Sequence, residues 1–161
     1  MFSYISTRGK ASKLGFVDTT LAGLASDGGL YVPEFIPLLT IDDIDEIAQS
    51  DYKHTAKKII SLFVGGEIAE EKLSAIIDKA YATFSASDVI DMVQLEDNLH
   101  VMELFHGETL AFKDVALQFL ANVFEEILKN KQQKINILGA TSGDTGSAAI
   151  NAFKGKDNIN I

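Results

Sequence analysis

Residues 99–120 read LHVMELFHGETLAFKDVALQFL, and the order of textures within them decides the fold class. Residues 99–105 are a short apolar run of strand length. A seven-residue loop follows, and from about residue 113 to 129 Ala116, Leu117, Leu120, Val123, Phe124, Ile127 and Leu128 recur at three and four, the spacing of an amphipathic helix. Residues 134–138 are a second strand candidate. ATSGDTGSAAINAF (140–153) is a small-residue loop running into a second helix, and NINI (158–161) resembles the start of a third strand. Strand, helix, strand, helix, strand with short connections predicts an α/β fold on a parallel sheet with right-handed crossovers. Ligands of such sheets bind at the carboxyl ends of the strands, where both loops fall.

The first loop raises a physical question, because Lys113 sits where the dipoles of a starting helix disfavour a positive charge. One reading is a surface lysine. The other starts from its apolar flanks, Ala111 and Phe112 before it and Val115 to Leu117 after it. A partly apolar cleft would hold more of the amine free, the state a Schiff-base lysine needs. In the second loop, GATSGDTGS, small residues let backbone approach a ligand, and the helix start offers amide N–H groups to a phosphate or carboxylate. The plainer alternative is a tight turn capped by Ser142, Asp144 or Thr145. His106, alone after an apolar strand, reads as a hydrogen-bonded structural residue.

Upstream, the chain changes texture near residue 95. SDGGLYVPEFIP (26–37) combines turn glycines with a short strand, 30–32, stopped by Pro33. Thr40 is the expected N-cap of a helix carrying Ile41, Ile44 and Ile47 with acids in its first turn. Residues 52–63 and 69–81 repeat the helical period, broken by Gly65-Gly66. The organisation expected is residues 1–95 as a helical and turn-rich N-terminal domain, with 96–161 opening the α/β domain.

Composition removes several function classes. Lys and Arg total 14 against 23 Asp and Glu, a net charge of −9, and such a surface repels nucleic-acid backbones. With 0 cysteines there are neither disulfides nor thiolate zinc sites. No apolar run is long enough to span a bilayer, and MFSYISTRGK lacks the basic start and apolar core of a secretory signal, so a cytoplasmic location is expected with no membrane partner. Walker A, GxGxxG, HExxH and GxSxG patterns are all unmatched, and no metal is expected.

The two loops carry a further signal. ELFHGETLAFKDVALQFL (103–120) resembles the pyridoxal-phosphate lysine signature of the threonine synthase family, and LGATSGDTGSAA (138–149) resembles that family's second signature. YISTRG (4–9) and LASDGGLYVPEFIP (24–37) are similar to its N-terminal signatures, in the right order. Residues 40–95 match only as a helical spacer. Glu108 departs from the pattern, since the family usually has proline there.

The resemblance implies a three-layer fold of the tryptophan synthase beta type, with pyridoxal 5'-phosphate as cofactor and O-phospho-L-homoserine as substrate. It implies Lys113 as the cofactor-binding catalytic lysine, with Phe112 and Asp114 setting its orientation. Ser142, Gly143, Asp144 and Thr145 would match the loop that receives the substrate carboxylate, through backbone N–H groups. Arg8 is a candidate contact for the substrate phosphate, with a surface role as the alternative. Family members are much longer, so the chain resembles an N-terminal part lacking the glycine-rich phosphate cradle and inactive by itself. Its open sheet edge at Ile161 is expected to drive self-association. Two other functions fit the same residues: a non-catalytic binding domain, and a phospho-lyase acting on a related phosphorylated amino acid.

Overall fold

The computed structural model describes residues 2–161, which divide into one compact unit ending at Ala75 and a second, Ile76–Ile161. In the first, β1 (Tyr4–Ser6) pairs antiparallel with β2 (Tyr31–Pro33), matching Ile5 to Val32. Around them lie α1 (Phe16–Ala22), α2 (Ile41–Ala48) and α3 (Tyr52–Val64). Phe2 is buried at the centre, edge-on to Tyr4, Phe35 and Phe63 at 5.5, 4.9 and 5.9 Å between ring centres. Such T-shaped contacts set the positive ring edge against a negative face. The Tyr4 hydroxyl satisfies itself by donating to Phe63 O at 2.9 Å.

Helix α2 starts as its sequence predicts. Thr40 Oγ1 accepts from Asp43 N at 3.1 Å while Asp43 returns a carboxylate to Thr40 N at 2.9 Å, a reciprocal capping box. Helix α3 is capped by Asp51, which accepts from His54 N at 2.7 Å, and it ends at Gly65 with φ +63.

Asp27 organises the turn between β1 and β2. The Ser6 hydroxyl lies 2.7 and 2.9 Å from its two oxygens and is the main cause holding its carboxyl down at about 2. The amides of Gly29, Lys10 and Ala11 donate to the same group at 2.9, 2.9 and 3.0 Å. A carboxyl lower in the folded than in the unfolded chain lends stability that is complete above its ordinary value of 3.8 and disappears as pH falls toward 2. The urea midpoint of the chain is therefore expected to drop between pH 4 and 2, and Asp27→Asn is expected to flatten that drop. An equal slope in both proteins would contradict the assignment.

The second unit begins within α4 (Glu70–Tyr81) and continues through β3 (Asp91–Glu96), β4 (Leu99–Glu103), α5 (Lys113–Lys131), β5 (Ile135–Asn136), α6 (Asp144–Phe153) and β6 (Ile159–Asn160). Residues 99–103 do form a strand. Its partner, however, is β3, in an antiparallel hairpin turning at Asp97-Asn98 with an irregularity between Gln94 and Glu96. Parallel pairing is supplied by β5 and β6, which match Ile135 to Ile159 on either side of α6. Ala121, Val123, Ile127 and Leu128 of α5 and Ala148, Ala152 and Phe153 of α6 are all buried. Phe124 and Phe153 meet edge-to-face at 5.9 Å. Among the described residues, no helix is long and apolar enough to cross a membrane.

Candidate active site

The loop from His106 to Phe112 is short and conformationally costly. Leu110 stands at φ +59, a left-handed conformation that a branched side chain adopts at a cost of about 1 kcal/mol or more. Asp114 holds the loop in that shape. Its carboxylate is fully buried, accepting from Thr109 N at 2.8 Å and from Thr109 Oγ1 at 2.8 Å. Because Asp114 also lies in the first turn of α5, its negative charge meets the positive end of the helix. One side chain thus ties the loop to the helix start.

Lys113 is the first residue of α5, directly beside that anchor. Its Nζ stands 4.2 Å from the centre of the Phe112 ring and 3.7 Å from Asp144 Oδ2, with 24% of the side chain exposed. The apolar flank expected from the sequence is present on the Phe112 side. The opposite neighbour is a carboxylate at ion-pair distance. Phe112 is itself 60% exposed, so the amine lies under a ring that solvent reaches.

Asp144 is the first residue of α6, and Ser142, Gly143 and Thr145 belong to the same turn. Gly143 takes φ +143, a backbone conformation that L side chains rarely adopt. Gly143 is the N-cap and has no side chain to offer. Thr141 Oγ1 accepts instead, from Gly146 N at 2.9 Å and Gly143 N at 3.3 Å. Sequence reading passed over Thr141; the signal available was a hydroxyl residue followed by small ones ahead of a helix. The acidic side chain of Asp144 faces Lys113 and is not spent on capping.

A second connection was also missed. Gln118 of α5 donates to Asn151 Oδ1 at 2.8 Å, and Asn151 of α6 donates to Glu108 Oε2 at 2.8 Å. Glu108, the departure from the family pattern, is therefore bonded across to α6. Arg8 belongs to the first unit, where it is exposed and its guanidinium donates to Asp27 O at 3.2 Å. His106 is hydrogen-bonded, as expected, with Nε2 3.0 Å from Glu103 Oε2.

Comparison with known proteins gives this geometry a context. The family model described as threonine synthase N terminus matches residues 3–81. Threonine synthase of Pseudomonas aeruginosa is 47% identical over 98% of this chain and 34% of its own length. That of Schizosaccharomyces pombe is 41% identical over 99% of this chain and 33% of its own length. A crystal structure of pyridoxal-phosphate-bound threonine synthase from Brucella melitensis superposes with a TM-score of 0.96 at 46% identity, covering 99% of this chain and 34% of that one. Matching its relatives from end to end of its own sequence while spanning about a third of theirs, the chain belongs to the threonine synthase family.

Proposed function

We propose that the chain is the N-terminal part of a pyridoxal-phosphate-dependent lyase that converts O-phospho-L-homoserine and water to L-threonine and phosphate. In this reading residues 1–95 form the N-terminal domain and 96–161 open the cofactor domain. The observation that carries it is Lys113 at the start of α5, beside a buried anchor and 3.7 Å from an acid on the next helix. These residues fit a carbonyl-bearing cofactor. A primary amine is partly exposed, an aromatic face flanks it, and the loop behind it is held by Asp114.

When bound, the cofactor supplies an electron sink for carbanions. Lys113 would hold it through its amine and, once released, serve as the general base at the substrate carbon. Asp144, in ion-pair contact with Nζ, is placed to keep that proton traffic local. The amides of Ser142, Gly143, Asp144 and Thr145 would receive the substrate carboxylate at the positive end of α6, Gly143 N exchanging its 3.3 Å bond to Thr141 Oγ1 for the substrate. Phe112 would exclude water on one side of Nζ, and Asp114 would keep the lysine from drifting with its loop. The 161 residues alone would not turn over, since the phosphate cradle expected from the family is not among the motifs present.

The test is reductive labelling. Incubating the chain with pyridoxal phosphate, reducing with borohydride and mapping peptides is expected to place the adduct on Lys113. Adduct scattered over surface lysines, or none, would overturn the assignment of the site. Mixing the chain with O-phospho-L-homoserine is expected to release no phosphate.

A further inference from the structure

We propose that Asp91, Glu103 and His106 form a binding site for one divalent transition-metal ion of the zinc type, fastening the β3–β4 hairpin to the start of the lysine loop. The antiparallel register sets Asp91 directly opposite Glu103, so both carboxylates leave the same face of the hairpin. Like charges opposed in this way destabilise a hairpin unless a positive group lies between them. His106 arrives three residues after Glu103 and brings Nε2 to 3.0 Å from Glu103 Oε2 and 3.6 Å from Asp91 Oδ2. One ligand atom from each of the three residues falls within 4.8 Å of the others. Four ligands at about 2.1 Å around zinc stand roughly 3.4 Å from one another, close to the 3.0 and 3.6 Å of the two contacts to His106 Nε2.

A second, independent observation concerns the other side of the imidazole. Ser85 N donates to His106 O at 2.9 Å, and Ser85 Oγ donates to the same carbonyl at 3.3 Å. With its hydrogen so directed, Oγ offers a lone pair to His106 Nδ1, 3.4 Å away. In the metal-free chain Nε2 donates to Glu103; with an ion bound, the proton held on Nδ1 by Ser85 Oγ would free the Nε2 lone pair for the metal. Orientation of a histidine through its far nitrogen is the arrangement that ligating histidines use. Phe105, 4.8 Å from the imidazole centre, packs on the ring.

The donor set selects the ion. An imidazole nitrogen with two carboxylate oxygens favours zinc and its neighbours over magnesium or calcium, which prefer all-oxygen shells. The His106, Glu103 and Asp91 side chains are 16%, 26% and 42% exposed, so the site is reachable and leaves a position for water. His106 also begins the loop that ends at Lys113, so a bound ion would fix the end of the loop that Asp114 does not hold.

The experiment titrates the chelator-treated chain with Zn2+ alone, and with Co2+ as an optical probe, at neutral pH. One equivalent bound with micromolar affinity is expected, together with cobalt d–d absorption and a rise in melting temperature. Glu103→Gln, Asp91→Asn and His106→Gln are each expected to weaken binding at least tenfold. His54→Gln, which removes the unrelated His54–Glu46 pair of the first unit, is expected to leave it unchanged. Asp91→Asn, at the most exposed of the three ligands, keeps the test decisive if His106→Gln fails to fold. Millimolar or weaker binding, or affinity indifferent to Glu103→Gln and Asp91→Asn, would show the cluster to be an ordinary imidazolium–carboxylate bridge and overturn the proposal.

Discussion

Lys113→Ala is expected to abolish reductive attachment of pyridoxal phosphate, and Lys113→Arg to do the same while leaving the fold intact. The second variant separates two properties of the residue. Arginine keeps a cation opposite Asp144 and over Phe112, but its guanidinium stays protonated and is no nucleophile. With 13 lysines in the chain, indiscriminate labelling would put about one-thirteenth of the adduct on Lys113 and neither substitution would change the total much. A selective site instead loses more than nine-tenths of its label in both variants. Stability should barely respond, because a partly exposed ion pair at 3.7 Å contributes about 0–1 kcal/mol. Thermal melts of both variants within a few degrees of the parent, beside label retained in either one, would contradict the role given to Lys113.

Gly107→Ala is expected to be the most damaging single-methyl change in the second unit. A Cβ at Gly107 would stand 2.4 Å from Asp114 Cβ and 2.5 Å from Asp114 Oδ2, well inside van der Waals contact. Asp114 has no room to yield, since it is fully buried and both its oxygens are engaged by Thr109. Overpacking costs about 1–3 kcal/mol, and displacing a buried, charge-assisted hydrogen bond adds about 1.5–3 kcal/mol. A total near 4 kcal/mol corresponds to a fall in melting temperature of roughly 8–16 °C for a chain of this size. Gly139→Ala is the control, because a Cβ there meets nothing within 4 Å. Equal melting temperatures for the two alanine variants would show that Asp114 is not a fixed anchor.

What could be read from the sequence was whatever short-range chemistry specifies. The α2 capping box needs only Thr40 and Asp43, and the long period of α5 needs only its own apolar face, so both elements were legible. Helix α1 was not. Its N-cap Gly15 supplies no side chain, and the amides of Phe16 and Val17 are satisfied by Glu67, at 2.8 and 3.1 Å, from some fifty residues away. The β3–β4 hairpin was hidden differently. Five of the six β3 residues are exposed, which erases the alternation that announces a strand, and the turn pair Asp97-Asn98 lacks the usual glycine. In the candidate site, Lys113 was legible from its flanks. Its acidic neighbour Asp144 was known as a residue but not as a partner, because their contact spans 31 positions and exists only once α5 and α6 pack.

Glu108 gives the lysine loop a property that proline would not. A pyrrolidine ring restrains the backbone covalently, at every temperature and in every solvent. The Glu108–Asn151–Gln118 chain restrains it through two side-chain hydrogen bonds, one of them to an exposed carboxylate. Those bonds can open one at a time on the side-chain timescale and close again without disturbing a peptide unit. The loop of this chain is thus fastened by a latch where proline would be a hinge pin, and urea or heat can release it while α5 and α6 remain packed.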